Sequence, residues 1–317
     1  MANTRPSIAV ILATHNGANV LPDVLNGYAH LHAPDCDWRM VVVDNASTDR
    51  TAEILESFRD RLPLEILFEP VPSKNQALNR ALDHVGLEPD LFVLTDDDAI
   101  PQPDFLREWR RVIDAYPQYE LFGGLIRLHF RQPPEPWLAG LRRRFPELYA
   151  EIDRAEDGPM IAEDIFGPNM AVRRSIFAKG LKFDPRIGPN SSQKDYPMGS
   201  ENEFCLRVVR ETGAQPWFAS GPKVHHIVRP NQMTKAYVER RAYKHGRGFA
   251  MRQAGLGDGR VTTMPTFLGE IRQIGRRIAA SLRSIDAMWE YNWHQGYRDW
   301  IAENHSDRDD SRPPLRA

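Results

Sequence analysis

The sequence predicts an α/β fold: a mixed, mostly parallel, Rossmann-like sheet flanked by helices, followed by a C-terminal helical extension. Two observations carry this expectation. Over the first hundred residues, short β-branched apolar runs alternate with stretches of helical periodicity, the pattern of βαβ units around a buried parallel sheet. Polar residues also gather where each apolar run ends, which is where open parallel sheets bind ligands. The chain has 317 residues, with 41 Lys+Arg against 43 Asp+Glu for a formal charge of −2. That length suits one large domain or two ordinary ones. The near-neutral balance argues against a nucleic-acid partner, whose phosphates demand a strongly basic surface. Two cysteines, Cys36 and Cys205, are too few for a disulfide framework or a Cys-rich zinc site.

The first strand is expected at 7–13 and runs out into Thr14, His15 and Asn16. A helix over 20–31 leads to a second strand at 39–43, which ends in Asp44 and Asn45. Ser47, Thr48 and Asp49 are placed to cap the next helix, 50–61, by accepting from its first amides. A strand at 64–68, a helix at 74–85 and a strand at 91–95 follow, the last ending in Asp96, Asp97 and Asp98. One crevice should collect all three polar clusters. Further on, Gly123-Gly124 precedes a strand at 125–130, a Pro-rich loop holds Trp137, and Gly167-Pro168-Asn169 leads into a strand at 170–172. A helix is expected over 201–211, a short strand at 216–219, and helical structure from 234 onward. The division that results is an α/β domain at 1–230, a helical extension at 231–305 and a polar, disordered tail at 306–317.

Three carboxylates at the end of one buried strand repel each other unless a cation or several donors compensate them. Oxygen ligands of this kind favour Mg²⁺ or Mn²⁺, which keep positions open for substrate phosphates; the bland alternative is an acidic loop capping the helix near Pro103. Asp44 suits a hydrogen bond to a ribose hydroxyl or a base N–H, or else simple turn chemistry. Lys74 reaches a phosphate as a point charge or is merely solvated. Glu201 follows Gly199, which frees the backbone to turn, and Ser200, which can cap. It is either a dipole-favoured residue of the first helical turn or a general base that takes a proton from an attacking hydroxyl. Glu203 reads as its support, paired with Arg207 at helical spacing. Of His225 and His226, strand alternation turns only one toward the crevice.

Together these motifs resemble the family 2 glycosyltransferases, which have the GT-A fold and use nucleotide-activated sugars. The resemblance runs from about residue 7 to 226. Thr14-His15-Asn16 is similar to the first-strand Thr-x-Asn of the family, and Val43-Asp44-Asn45-Ala46-Ser47-Thr48-Asp49 to its second-strand Val-Asp-Asn-x-Ser-x-Asp. Asp96-x-Asp98 matches the metal-binding DxD. The segment from Lys74 to Asn79, with Gly123-Gly124 and the run from Asn169 to Arg174, resembles donor-side and acceptor-side elements. The resemblance implies Thr14, Asn16, Asp44, Lys74, Asn79, Asp96 and Asp97 at the nucleotide, and Asp98, Asp96 and His226 on Mn²⁺ or Mg²⁺. Gly124, Asn169 and Trp137 are expected on the acceptor side. The usual catalytic pair is Glu-Asp six residues before an Arg; counted back from Arg207 that position is Glu201, and Ser200 replaces the preceding Glu. The domain at 1–230 is then the nucleotide-sugar-binding and catalytic one.

The implied activity is inverting, metal-dependent transfer from a nucleoside diphosphate sugar, a UDP-sugar by default, to a saccharide or lipid-linked acceptor in polysaccharide or glycolipid synthesis. A sugar nucleotidyltransferase would carry a Gly-rich basic loop after the first strand, which residues 14–19 lack. A non-catalytic nucleotide-sugar-binding module is the other alternative, against which the retained carboxylates argue. Phe267, Ile271, Ile274, Ile278, Leu282 and Ile285 form one helical stripe, with Arg272, Arg276, Arg277 and Arg283 among them. The stripe, continued by aromatic residues to 300, either packs on the α/β domain or a second subunit, or lies on an anionic membrane. No run approaches the ~18 to 20 apolar residues of a membrane span, and the first residues lack an apolar signal region. The expected location is the cytoplasm or the inner face of its membrane.

Overall fold

The computed structural model describes residues 7–256 and 284–305. Four parallel strands form the N-terminal half of its sheet: β1 (Ile8–Thr14), β2 (Trp38–Asp44), β3 (Leu64–Phe68) and β4 (Leu91–Asp96), in the spatial order β3-β2-β1-β4. Every residue of β1 is buried, because helices cover both faces. Ile8, Val10 and Leu12 join one apolar cluster, and Ala9, Ile11 and Ala13 join the other. The crossovers are α1 (Leu21–Ala29), α2 (Thr51–Glu56) and α3 (Lys74–Val85). Leu21, Val24 and Leu25 of α1 lie on the first face, and Ala77, Leu78 and Ala81 of α3 on the second.

The chain continues through β5 (Ala99–Pro101), α4 (Phe105–Ala115), β6 (Leu121–Phe130), α5 (Pro136–Arg144), β7 (Gly158–Pro159), β8 (Met170–Arg173) and α6 (Arg174–Phe177). Then come α7 (Ser200–Thr212), β9 (Pro216–Val228), α8 (Lys235–Leu256) and α9 (Ile285–His305). β4 and β6 each pair antiparallel with β8, β6 pairs parallel with β9, and β9 pairs antiparallel with β5 and β7. Mostly parallel pairing on one side and mixed pairing on the other is the architecture expected from the sequence.

The differences have local causes. The helix expected over 50–61 ends at Glu56, and turns through residue 62 bring Phe58 and Leu62 into the core ahead of Pro63. Asp49 does serve that helix, its Oδ1 accepting from Thr51 N at 3.0 Å. β6 takes in Gly123 and Gly124 rather than following them. The reason is close packing, since a Cβ on Gly124 would lie 2.2 Å from Asn169 Nδ2. The short strand expected at 216–219 and the His225-His226 segment are one strand, β9, which absorbs residues 220–222 where the register shifts opposite Gly124 and Leu125.

α8 and α9 run in the same direction, His245 meeting Trp289, Phe249 meeting Trp293 and Gln253 meeting Tyr297, with their backbones in contact. A Cβ on Gly246 would lie 1.8 Å from Trp293 O, and one on Gly296 1.9 Å from Tyr243 O. Their apolar residues, including Val238, Ala242 and Trp289, close a third cluster with Leu138 and Leu141 of α5. The stripe from Phe267 to Leu282 and the tail at 306–317 lie outside the described residues. Among the described residues no helix is long and apolar enough to cross a membrane.

Candidate active site

β1, β2 and β4 end on one edge because their registers align, Thr14 opposite Asp44 and Ala13 opposite Asp96. Past Asp96 the chain turns through Asp97 and Asp98 into β5. There Ala99 pairs with His226, and Ile227 N donates to Asp98 O at 2.8 Å. This pairing brings His226 to the three carboxylates. A cleft of about 470 Å³ opens at this edge, and α3, α7 and α8 add Lys74, Glu201 and Arg241 to its wall.

Lys74 is the hub of one side. Its Nζ donates to Asp96 Oδ1 at 2.6 Å and to Glu201 Oε1 at 2.7 Å, so it is neither solvated nor a free phosphate ligand. Ser200 Oγ donates to Glu201 Oε2 at 2.8 Å instead of capping α7. Burial works to raise the Glu201 carboxyl, and the charge and hydrogen bond of Lys74 outweigh it, holding Glu201 below the usual range. Lys74 itself is raised: burial opposes its charge, but Asp96 and Glu201 overcome that. One ammonium cannot compensate two buried carboxylates, and burial leaves Asp96 raised. The expected Glu203–Arg207 pair is present, Arg207 Nε donating to Glu203 Oε1 at 2.8 Å.

On the other side His226 Nδ1 donates to Tyr149 O at 2.7 Å, and its Nε2 lies 3.2 Å from Asp98 Oδ1. His225 faces away, its ring 6.5 Å from that of His129. Burial pushes Asp98 up, but His226, then Arg229 and Lys74, hold it below the usual range. Asp97 is pushed up to about 7, by burial first and Asp98 second, against the hydroxyl of Thr14, which donates to it at 2.6 Å.

Among the described residues no three His, Cys, Asp or Glu side chains form a ready cage for a metal ion. Mg²⁺ and Mn²⁺ bound to substrate phosphates need only one or two protein groups. Asp98 and His226 meet that demand. The imidazole is fixed by its Nδ1 bond to a backbone carbonyl, the arrangement that aims the other nitrogen at a metal. Asp96 does not join them, since Lys74 holds it.

Six residues singled out in the sequence do not line the cleft. Asn79 exchanges two hydrogen bonds with the Phe183 backbone, 2.8 and 2.9 Å, which ties α3 to a loop. Asn16 is exposed and shapes the neighbouring turn, its Oδ1 accepting from Thr48 N. Asp44 accepts from Ser47 N at 3.0 Å, the turn chemistry, while its neighbour Asn45 reaches the cleft. Asn169 is fully buried, its Nδ2 donating to Leu125 O and Pro222 O, and Gly124 lies beneath it. Trp137 packs on the third apolar cluster. The sequence reading missed Arg229, 3.7 Å from Asp98, and the α8 residues Tyr237, Arg241 and His245. Their four-residue spacing was a readable signal of one helix face.

Residues 9–181 match the family model described as glycosyl transferase family 2. Over 108 residues, 34% of this chain, the sequence is 34% identical to the poly(ribitol-phosphate) beta-N-acetylglucosaminyltransferase TarS of Staphylococcus aureus, and the match spans 19% of that protein. The crystal structure of S. aureus TarS 1-349 in complex with UDP-GlcNAc superposes with a TM-score of 0.52 at 16% identity, covering 78% of this chain and 66% of that one. The mannosyltransferase PcManGT from Pyrobaculum calidifontis, in complex with GDP-Man and Mn²⁺, gives 0.57 at 19%, covering 96% and 76%. At these identities the two structures establish the fold, GT-A in both cases.

Proposed function

The chain belongs to glycosyl transferase family 2, and from that premise we propose that it moves a sugar from a nucleoside diphosphate donor to an acceptor hydroxyl, with inversion and with help from Mn²⁺ or Mg²⁺. A UDP-sugar is the first donor to test, and a saccharide, lipid-linked or polyol-phosphate polymer the first acceptor. TarS carries a sugar to poly(ribitol-phosphate) by its name, and its structure holds UDP-GlcNAc. One observation carries the reading: an ionised carboxylate, Glu201, and the Asp98–His226 pair share one cleft at the sheet's carboxyl edge.

In this reading Glu201 takes the acceptor proton. Its depressed pKa keeps it ionised, and Lys74 and Ser200 fix its orientation. A carboxylate of low basicity takes a proton late, as the new carbon–oxygen bond forms and the hydroxyl acidifies. Asp98 and His226 would hold the cation, which when bound stabilises charge developing on the leaving diphosphate. Arg229, beside Asp98, adds a positive charge at the same end.

The test pairs two variants with donor turnover in the presence of Mn²⁺. Glu201→Gln should abolish transfer while retaining nucleotide binding, and Asp98→Ala should lose the metal-dependent part of that binding. The anomeric configuration of the product, read by NMR, reports inversion or retention. Equal transfer rates for Glu201→Gln and the parent would remove Glu201 from the mechanism.

A further inference from the structure

The proposed chemistry leaves one wall of the cleft without a task. That wall is α8, on which Tyr237, Arg241 and His245 follow at four-residue spacing and share a face. Nε of Arg241 and Nε2 of His245 are both enclosed and without a hydrogen-bond partner. Buried polar atoms are nearly always satisfied. Two orphans one helical turn apart on a cleft wall therefore point to a bound group that satisfies them.

The other cations of the cleft are committed. Lys74 bridges Asp96 and Glu201, and His226 and Arg229 both face Asp98. The Arg241 side chain makes no hydrogen bond or ion pair among the described residues, and Asp98 and Asp96 act on its charge only at a distance. Glu147 shares this end of the cleft but makes no ion pair with Arg241, and burial raises its carboxyl by more than Arg241 lowers it. His245 makes a different demand. The Glu147 carbonyl accepts from its ring, while burial, with Arg241 and Arg252, keeps the ring neutral. Nε2 then presents a lone pair, which accepts from a hydroxyl and offers nothing to a phosphate oxygen.

We infer that this face of α8 is the acceptor subsite and that it selects a sugar or polyol bearing a phosphate, Arg241 pairing with the anion and His245 accepting from an adjacent hydroxyl. The inference rests on the transferase reading and deepens it. The donor's diphosphate is already assigned to the group formed by Asp98, His226 and Arg229, which leaves the anion at Arg241 to the acceptor.

The test is calorimetric, on the full chain saturated with UDP and Mn²⁺. Glycerol 3-phosphate and glucose 6-phosphate are the probes, and glycerol and glucose their neutral references. The parent should bind each phosphate ester about tenfold or more tighter than its neutral reference, the scale of one charge-assisted hydrogen bond. Arg241→Gln should lose that discrimination with its UDP affinity unchanged. Arg241→Lys, which keeps the charge, should retain part of it, and His245→Gln should weaken both members of each pair. No discrimination in the parent, or full discrimination in Arg241→Gln, overturns the inference. So does a fall in UDP affinity in Arg241→Gln, which assigns Arg241 to the donor. A parent that binds neither UDP nor GDP counts instead against the transferase reading.

Discussion

Mild acid should destabilise this protein through His245, by an amount that follows from its surroundings. The ring lies 6.0 Å from that of Trp289 on one side and faces Arg241 and Arg252 on the other. Burial first, then these two guanidinium groups, drive its pKa well below the usual 6.5, and the Glu147 carbonyl is the one opposing contact. The unfolded chain keeps a value of about 6.5. Below that pH the unfolded state takes up a proton that the folded state refuses. The contribution of the neutral ring is thus fully present above about pH 6.5 and is lost as pH falls, at about 1.4 kcal/mol per unit until the folded pKa is reached. Each pH unit of that loss is a sizeable part of a typical ~5–15 kcal/mol stability. Urea denaturation at several pH values between about 5 and 8, on the parent and His245→Gln, isolates this effect, because the carboxylates common to both cancel in the difference. The variant should gain on the parent as the pH falls below about 6.5, with a slope approaching about 1.4 kcal/mol per unit. Parallel stability curves would refute the reasoning and mean that the ring protonates in place.

Three other perturbations probe the supports of the site. Lys74→Met removes the one cation between Asp96 and Glu201, and leaving buried charges unpaired should cost about 3–5 kcal/mol in denaturant titrations. Transfer should fall with it, since Glu201 loses the bond that orients it. Asn79→Ala deletes both bonds to Phe183 and should cost about 1–3 kcal/mol while leaving nucleotide affinity intact; weakened nucleotide binding would return Asn79 to the donor site. Gly248→Ala sets a Cβ 1.6 Å from Met198 O, so the helix must move, with a destabilisation of about 1–3 kcal/mol and a loss of transfer that exceeds the loss of nucleotide binding.

The parallel half of the sheet was legible because its residues obey one local rule. A run such as Leu91-Phe92-Val93-Leu94 is apolar on both faces, and the carboxylates after it must lie at the strand's end. The strands from Leu121 onward were less legible. β9 carries Ser220, Gly221 and Pro222 within it, residues that read locally as a break, and only pairing with β6 holds them in the strand. At the site, the sequence pointed to Lys74, Glu201, Asp98 and His226, and the structure brings all four to one cleft. It could not say which polar residues are spent on structure. Asn79 and Asn169 have the chemistry of ligand-binding amides, and long-range backbone carbonyls claim both.

The same limit explains why a boundary at residue 230 looked natural: the strand pattern stops there and a helix begins. Yet α8 holds the segment that delivers Glu201. Met198 N donates to Lys244 O at 3.0 Å, Arg252 Nη1 donates to Met198 O at 3.1 Å, and Gly248 brings the helix backbone against that same carbonyl. The next residue, Gly199, has φ +101°, a backbone conformation that strains any residue with a side chain. Glu201 is therefore fixed from two directions, by Lys74 of α3 through its carboxylate and by α8 through its backbone. A ligand held on the cleft face of α8 would press on the helix that sets the position of this carboxylate. That coupling makes α8 a part of the α/β domain's site rather than an appendage to it.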